Sequence, residues 1–380
     1  MPELFDTPMP ASPPDPAAER RAVVALSLVP GVGPTRVRAL LSAFGSASAV
    51  LAAPRSRLAA VDGVGRGTAA AIAGFDPGDA VDAQFRAADS VGANLVAVAD
   101  DGYPPALREI YDPPPALWVR GRLDTADDRA VAIVGTRKAG DYGRRVAEHF
   151  ARGFAEAGVT VVSGLAYGID VAAHRAALAA GGRTVAVLGS GVDRIYPSRH
   201  ADVVRGILDR DLGAVVSEFP MGATPDATNF PRRNRIIAGM SRATVVAEAR
   251  AKGGALLTAA IALEQNREVF AIPVPIFGDA LGTNRLIQRG WAGLANTPAD
   301  VLAEIGQQTG GPDGPATAPL PDDLSAIERR LLGALGDAPV HLDAVCAEAR
   351  VDPPEALVYL LQLEFRGLVR QLAGKQFARV

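Results

Sequence analysis

Residues 131–174 read VAIVGTRKAGDYGRRVAEHFARGFAEAGVTVVSGLAYGIDVAAH. An apolar run, Val131 to Val134, meets a small-residue turn at Gly135-Thr136. A helical pattern follows through Gly158, and a second apolar run, Val159 to Val162, ends in Ser163-Gly164. The order is strand, helix, strand, with the polar groups gathered at the strand ends. In an open parallel sheet the carboxyl ends of strands meet the amino ends of helices, so backbone N–H groups converge there on an anionic ligand. The stretch therefore proposes a phosphate-binding crevice. No G-x-G-x-x-G follows Gly135, so it is not the dinucleotide fingerprint, and by itself the turn fits a tight α/β connection equally well.

The same rhythm continues outward. Thr184 to Leu188 is a strand ending in Gly189-Ser190-Gly191, Ala214 to Val216 ends in Ser217-Glu218, Ala243 to Ala247 ends in Glu248, and Val269 to Ile272 ends in Pro273. Helical patterns over Val171 to Ala180, Ala201 to Leu208, Arg232 to Met240 and Ala255 to Gln265 lie between them. Strands alternating with helices predict an α/β fold with a doubly wound, mostly parallel sheet, whose right-handed crossovers bring the strand ends to one rim. Upstream, Asn94 to Val98 and Leu117 to Val119 read as short strands among Pro-fixed loops, and Tyr103, Leu107, Leu117 and Trp118 require a surface to pack on. Residues 80–122 are thus expected to form an edge of the sheet domain, which spans 80–304.

Two further modules flank it. Residues 19–79 are Ala- and Leu-rich with helical spacing, and Gly31-Val32-Gly33 and Gly63-Val64-Gly65 each precede a helix, in the manner of helix-hairpin-helix elements. Between residues 305 and 321 composition shifts to Gly, Pro, Gln and Thr and periodicity vanishes, which predicts a linker. After it, three amphipathic helices (Leu324 to Leu335, Leu342 to Arg350, Pro354 to Phe365) and a small hairpin make a winged-helix pattern within residues 322–380. The third helix is largely apolar with Arg366 as its one cation, so it suits a protein contact better than base reading. Residues 1–18 are expected to be a disordered tail.

A chain of 380 residues with 48% apolar composition supports two or three domains and excludes general disorder. The net charge of -3 excludes a globally basic protein but leaves local basic patches open. The single cysteine, Cys346, allows no internal disulfide and no Cys-based metal framework, which fits a reducing cytoplasm. Neither a signal peptide nor a membrane span is expected.

The strongest local charge lies in Asn229-Phe230-Pro231-Arg232-Arg233-Asn234-Arg235-Ile236-Ile237, at an expected helix start on the rim of Gly135 and Ser163. Next, Arg250-Ala251-Lys252-Gly253-Gly254-Ala255-Leu256-Leu257-Thr258 leaves a strand and opens a helix. Its glycines let backbone approach a ligand, Lys252 supplies charge and Thr258 a hydroxyl. Because the lysine precedes the glycines, this is no Walker loop, and nucleotide hydrolysis is disfavoured. His149, His174, His200 and His341 have no metal-ligand spacing, and Asp170 with His174 reads as a helix-start pair. Glu218 and Glu248, at strand ends, are the attractive carboxylates, either for acid-base work or for orienting arginines.

Taken in order, Gly135-Thr136-Arg137 with Tyr142-Gly143, Ser163-Gly164-Leu165-Ala166 with Gly168-Ile169-Asp170 and Ala173-His174, Tyr196-Pro197, Ser217-Glu218, Phe230-Pro231-x-Arg233-Asn234-Arg235-Ile236-Ile237 and Gly253-x-x-Leu256-x-Thr258-Ala259 resemble the DNA-processing protein A family, DprA or Smf. The resemblance is dense from about Leu95 to Ala295. It implies an extended Rossmann-like fold flanked by a sterile-alpha-motif-like helical domain and a winged-helix-like domain. It further implies a protein that binds single-stranded DNA without catalysis, dimerises through the Rossmann-like domain, and loads the RecA recombinase onto incoming DNA in natural transformation. Carried over by position, the Gly135-Thr136-Arg137 turn would hold backbone phosphate, beside the Ser163-Gly164 strand end. Lys252, Gly253, Gly254 and Ala255 would form a second phosphate loop, and Arg232 to Arg235 would build the rim. The chain departs from the family pattern at Gly140, Gly254 and Val274, and at Tyr167, where a cation is common; Tyr167 and Leu256 could instead stack on bases.

A rim of arginines and Gly loops without base-reading groups binds strings of phosphates, tolerantly of sequence and sensitively to salt. The reading is a single-strand binder and recombinase mediator, requiring no cofactor, metal or membrane. The alternative is a lysine-decarboxylase-like Rossmann enzyme that cleaves nucleoside monophosphates with Glu218 or Glu248, although its Pro-Gly-Gly-x-Gly-Thr pattern is missing.

Overall fold

Alternation along Val131–Gly135 builds the centre of the protein. Val131 and Ile133 face one side of the sheet, where they meet Phe150, Phe154, Ile169 and Ala173. Ala132 and Val134 face the other, against Ile236, Ile237, Ala255 and Ala259. Both faces are covered, so the strand is apolar throughout, as a parallel strand buried on both sides must be. The computed structural model describes residues 15–277, 280–308, 324–336, 340–366, 368–372 and 376–379. The chain divides into two compact units, Met1–Gly310 and Gly311–Val380.

The first unit contains β1 (Ala93–Ala97), β2 (Ala116–Gly121), β3 (Val131–Gly135), β4 (Val161–Ser163), β5 (Thr184–Val187), β6 (Gly213–Ser217), β7 (Ala243–Glu248), β8 (Glu268–Ala271) and β9 (Gly293–Leu294). They form one sheet in the order β1-β2-β6-β5-β4-β3-β7-β8-β9. From β6 to β9 every pairing is parallel, and β1 and β2 add an antiparallel edge. The doubly wound sheet and its edge strands agree with the sequence reading. Strand order reverses between β3 and β7, and such a switch point opens a crevice beyond the strand carboxyl ends.

Helix Asp141–Glu156 crosses from β3 to β4 and buries Ala147, Phe150, Ala151 and Phe154, an i, i+3, i+4, i+7 stripe. Helix Ile169–Ala179 covers the same face, and helices Asn229–Gly239 and Gly254–Glu264 cover the other.

The N-terminal helices belong to the same unit. Helix Pro16–Leu28 packs Val24 and Ala25 on Leu95 and Trp118 of the β1–β2 edge. The two Gly hairpins lie side by side: Arg36 donates to the Gly31 carbonyl at 2.5 Å and to the Gly63 carbonyl at 2.8 Å. Two boundaries differ from expectation. The first helix starts at Pro16, capped by the Asp15 carboxylate, inside the expected tail. Helix Pro298–Gln308 runs into the expected linker because Ile305 is buried in the core. The remainder of the tail (1–14) and of the linker (309–321) lies outside the described residues.

The second unit has helices Ala326–Gly333, Leu342–Ala349 and Pro353–Phe365 with a sheet of β10 (Val340–His341), β11 (Val369–Leu372) and β12 (Gln376–Arg379) in the order β10-β12-β11. Leu331, Val345, Leu360, Leu363 and Phe377 fill its core. The third helix leaves Leu357, Val358 and Leu361 exposed, and its one cation, Arg366, approaches Glu328 at 3.5 Å.

Candidate nucleic-acid interface

At the reversal of strand order, the ends of β3 and β7 and the starts of helices Asn229–Gly239 and Gly254–Glu264 enclose a cavity of about 480 Å3. Gly135, Thr136 and Arg137 line it from β3, and Arg250, Lys252, Gly253, Gly254 and Ala255 from the loop after β7. Phe230, Arg233 and Asn234 close it from above, with Asp170 and Thr258 at its base. The walls are tied together by backbone: Thr136 N–H donates to Glu248 O at 2.8 Å, and Gly140 N–H to the Glu248 carboxylate at 3.2 Å.

Electrostatics favour an anion. Helix Gly254–Glu264 begins at Gly253 with no side-chain cap, so its first N–H groups are free to face a ligand. Arg137, Arg250 and Lys252 are exposed, and among the described residues neither Arg250 nor Lys252 has an ion-pair partner. The Arg137 guanidinium lies over the Phe230 ring, 4.4 Å from its centroid, which holds the cation at the rim.

Arg233 is the deepest cation. It is 3% exposed, donates from Nη1 to Val187 O at 2.7 Å, and keeps a buried Nε without a partner. Burial pushes its pKa down to about 10, against the pull of Asp170, so it stays charged at neutral pH. Asp170 is buried too; its carboxylate accepts from Ala166 N–H at 3.4 Å, and desolvation raises its pKa although Arg233 opposes the rise. Asp170 is the negative neighbour of this buried guanidinium, so the charge left for a ligand is that of the exposed Arg137, Arg250 and Lys252.

Close approach of backbone makes this packing possible. A Cβ on Gly164 would fall on the Arg233 guanidinium. Gly168, at φ +78, starts helix Ile169–Ala179 with its Cα against the Thr136 and Arg137 backbone, where a side chain has no room.

Of the residues singled out from sequence, Gly135, Thr136, Arg137, Arg233, Asn234, Lys252, Gly253, Gly254, Ala255 and Thr258 are brought together around this cavity. The others are placed elsewhere. Ser163 is fully buried and donates to Ile133 O at 2.6 Å, with Gly164 behind Arg233. Leu256 lines a separate apolar cavity with Leu286 and Trp291. Tyr167 packs edge-on against His200 at 5.0 Å, in a neighbouring cleft.

The three arginines diverge, because successive helical residues point about 100° apart. Arg232 and Arg235, three apart, both turn to Glu218. Arg232 approaches it at 3.8 Å and lies over Phe219, while Arg235 forms a buried ion pair with it and a 3.4 Å pair with Asp112. Arg233 alone of the three lines the cavity. Glu218, weighed as a catalyst, is 3% exposed and engaged by Arg235, and burial raises its pKa. Sequence reasoning did not single out Asp170 or Arg250 as part of the site; Arg250 sits in the same loop as Lys252, which was the available signal. No group of three or more metal-ligating side chains occurs among the described residues. No described helix is long and apolar enough to cross a membrane.

Each of the three modules has counterparts among known proteins. Residues 94–306 match the model of DNA recombination-mediator protein A, residues 315–375 that of the DprA winged helix domain, and residues 24–73 that of a SAM-like helix-hairpin-helix tandem. The chain is 41% identical over 288 residues to Protein Smf of Escherichia coli (strain K12), spanning 74% of this chain and 76% of that one. It is similar to the X-ray structure of DNA processing protein A from Streptococcus pneumoniae, with a TM-score of 0.64 and 32% identity over 75% of this chain and 97% of that chain. It is also similar to a structure of DNA processing protein A from Helicobacter pylori that describes the single-stranded DNA binding mode of that protein, with a TM-score of 0.50 and 27% identity over 57% and 96% of the respective chains. With the central match spanning more than half of the residues and both flanking modules accounted for, this chain belongs to the DNA recombination-mediator protein A family, DprA or Smf.

Proposed function

We propose that this protein binds single-stranded DNA through the switch-point cavity, without catalysis, and acts in transformation and recombination. One observation carries the reading: the exposed cations Arg137, Arg250 and Lys252 and the open start of helix Gly254–Glu264 ring a single cavity, with Arg233 buried in its wall. These groups recognise phosphate. The site lacks a set of side chains dedicated to base edges, so binding is sequence-tolerant. The single-strand binding described for the Helicobacter pylori protein supports the same ligand.

In the same reading the protein delivers its strand to the RecA recombinase in the cytoplasm and works as a homodimer through the sheet domain. The exposed apolar residues Leu263, Trp291 and Leu294 at the β9 end of that domain favour self-association. Fluorescence anisotropy of labelled oligo-dT across a salt series tests the binding: log affinity should fall linearly with log salt, by about 0.7 for each phosphate contacted. Absent or salt-insensitive binding would overturn it. Light scattering reports the mass of the assembly, and the rate of RecA filament growth on single strands, with and without the protein, tests the mediator role.

A further inference from the structure

A second cleft lies directly beside the switch-point cavity. It has a volume of about 520 Å3 and runs between helices Asp141–Glu156 and Ile169–Ala179. Arg137 lines both spaces, so the two are neighbours on either side of one exposed side chain. The cleft carries Arg137, Lys138, Arg144, Arg152 and Arg175 against a single carboxylate, Glu148. Arg144 and Arg175 are held by Asp141 at 2.5 Å and Asp202 at 3.0 Å. The Lys138 and Arg152 side chains are exposed and have no ion-pair partner among the described residues. The floor is Val171, Ala172 and Ala176, whose short side chains keep the cleft deep.

Tyr167 lines the cleft next to Gly168. The residue is 39% exposed, its ring braced edge-on by His200 at 5.0 Å, with the Arg199 guanidinium 5.8 Å from the ring centroid. A fixed, half-open aromatic ring next to free cations is the composition of a platform on which a base stacks while its phosphates are neutralised.

We propose that this cleft is a second phosphate track, which carries the same DNA strand onward from the switch-point cavity past Arg137 and Tyr167 to Lys138 and Arg152. The inference rests on the single-strand reading above and extends it. A short strand fills the switch-point cavity alone, whereas a longer one also occupies the cleft, so the affinity gained with length depends on cations that the first site does not use.

The test compares hexameric and twenty-residue oligo-dT by anisotropy, for the wild-type chain and for a Lys138→Ala, Arg152→Ala double variant. Both positions are exposed, so the variant should keep the wild-type circular dichroism and melting temperature. Hexamer affinity should stay within about twofold, the twenty-residue strand should bind at least about tenfold more weakly, and its salt slope should fall by about 1.4, the value for two phosphate contacts. Tyr167→Ala should likewise weaken the longer strand more than the shorter. Equal losses on both lengths, or no loss on either, would overturn the second track. If the wild-type chain bound neither oligonucleotide, the switch-point reading itself would fail, and the two failures are thus told apart.

Discussion

The Arg137 guanidinium stacks on the Phe230 ring at 4.4 Å, joining the turn after β3 to the start of helix Asn229–Gly239 across the mouth of the cavity. The contact presents a cation at the rim in a fixed orientation, and it leaves the guanidinium edge open to phosphate. Arg137→Ala should weaken oligo-dT by about tenfold or more, since a hydrogen bond to a charged group contributes about 1.5–3 kcal/mol. Arg137→Lys should recover only part of this, because an ammonium lacks the planar fork. Anisotropy at fixed salt checks both.

Gly164 is the space in which Arg233 lies. Gly164→Ala should displace that guanidinium, destabilise the fold by about 1–3 kcal/mol as an overpacked core does, and weaken DNA together with stability. Guanidinium denaturation and anisotropy on the same preparation check the pair of effects. An affinity loss in a variant of unchanged stability would also fit the geometry, but unchanged affinity would not.

The buried pair of Glu218 and Arg235 should be structural. Glu218→Ala removes the buried one of the two carboxylates that Arg235 pairs with and leaves only Asp112 at 3.4 Å, so a cost of up to about 3–5 kcal/mol is expected. Any residual folded protein should bind oligo-dT as the wild type does, because neither residue lines the cavity. Denaturation midpoints and low-temperature anisotropy separate the two roles.

His174 is fully buried, with Nδ1 2.7 Å from Thr184 Oγ1 and Nε2 unpartnered. Burial first, and then the Arg233 charge, push its pKa down to about 3 from 6.5. The unfolded chain therefore binds this proton between those values while the folded chain does not, so stability falls as pH falls through the window. The wild type should lose up to about 1.4 kcal/mol per pH unit more than a His174→Phe variant over pH 6 to 4. Parallel denaturation curves at both pH values check the sign.

The sequence by itself determined the α/β architecture, because period-2 and period-3.6 apolar patterns are local and long enough to read. Continuous runs such as Val131 to Val134 mark strands buried on both faces, and the stripe of Ala147, Phe150, Ala151 and Phe154 marks the crossover helix. The glycine-ended strands pointed to the sheet rim, where the switch-point cavity lies, and the ordered motifs pointed to the family. The tertiary structure alone decided which cations line the switch-point cavity. Arg232, Arg233 and Arg235 are nearly adjacent in sequence, yet helical rotation sends two of them to Glu218 and Asp112 and one into the cavity. Glu218 looked like a rim carboxylate because strand ends are where such groups act, but its partner lies 17 residues away, on a helix packed against it. The cleft holding Lys138 and Arg152 was illegible for the same reason. Its far wall is helix Ile169–Ala179, whose approach to the turn that carries Lys138 is fixed by the Gly168 backbone contact, and no local pattern encodes that distance.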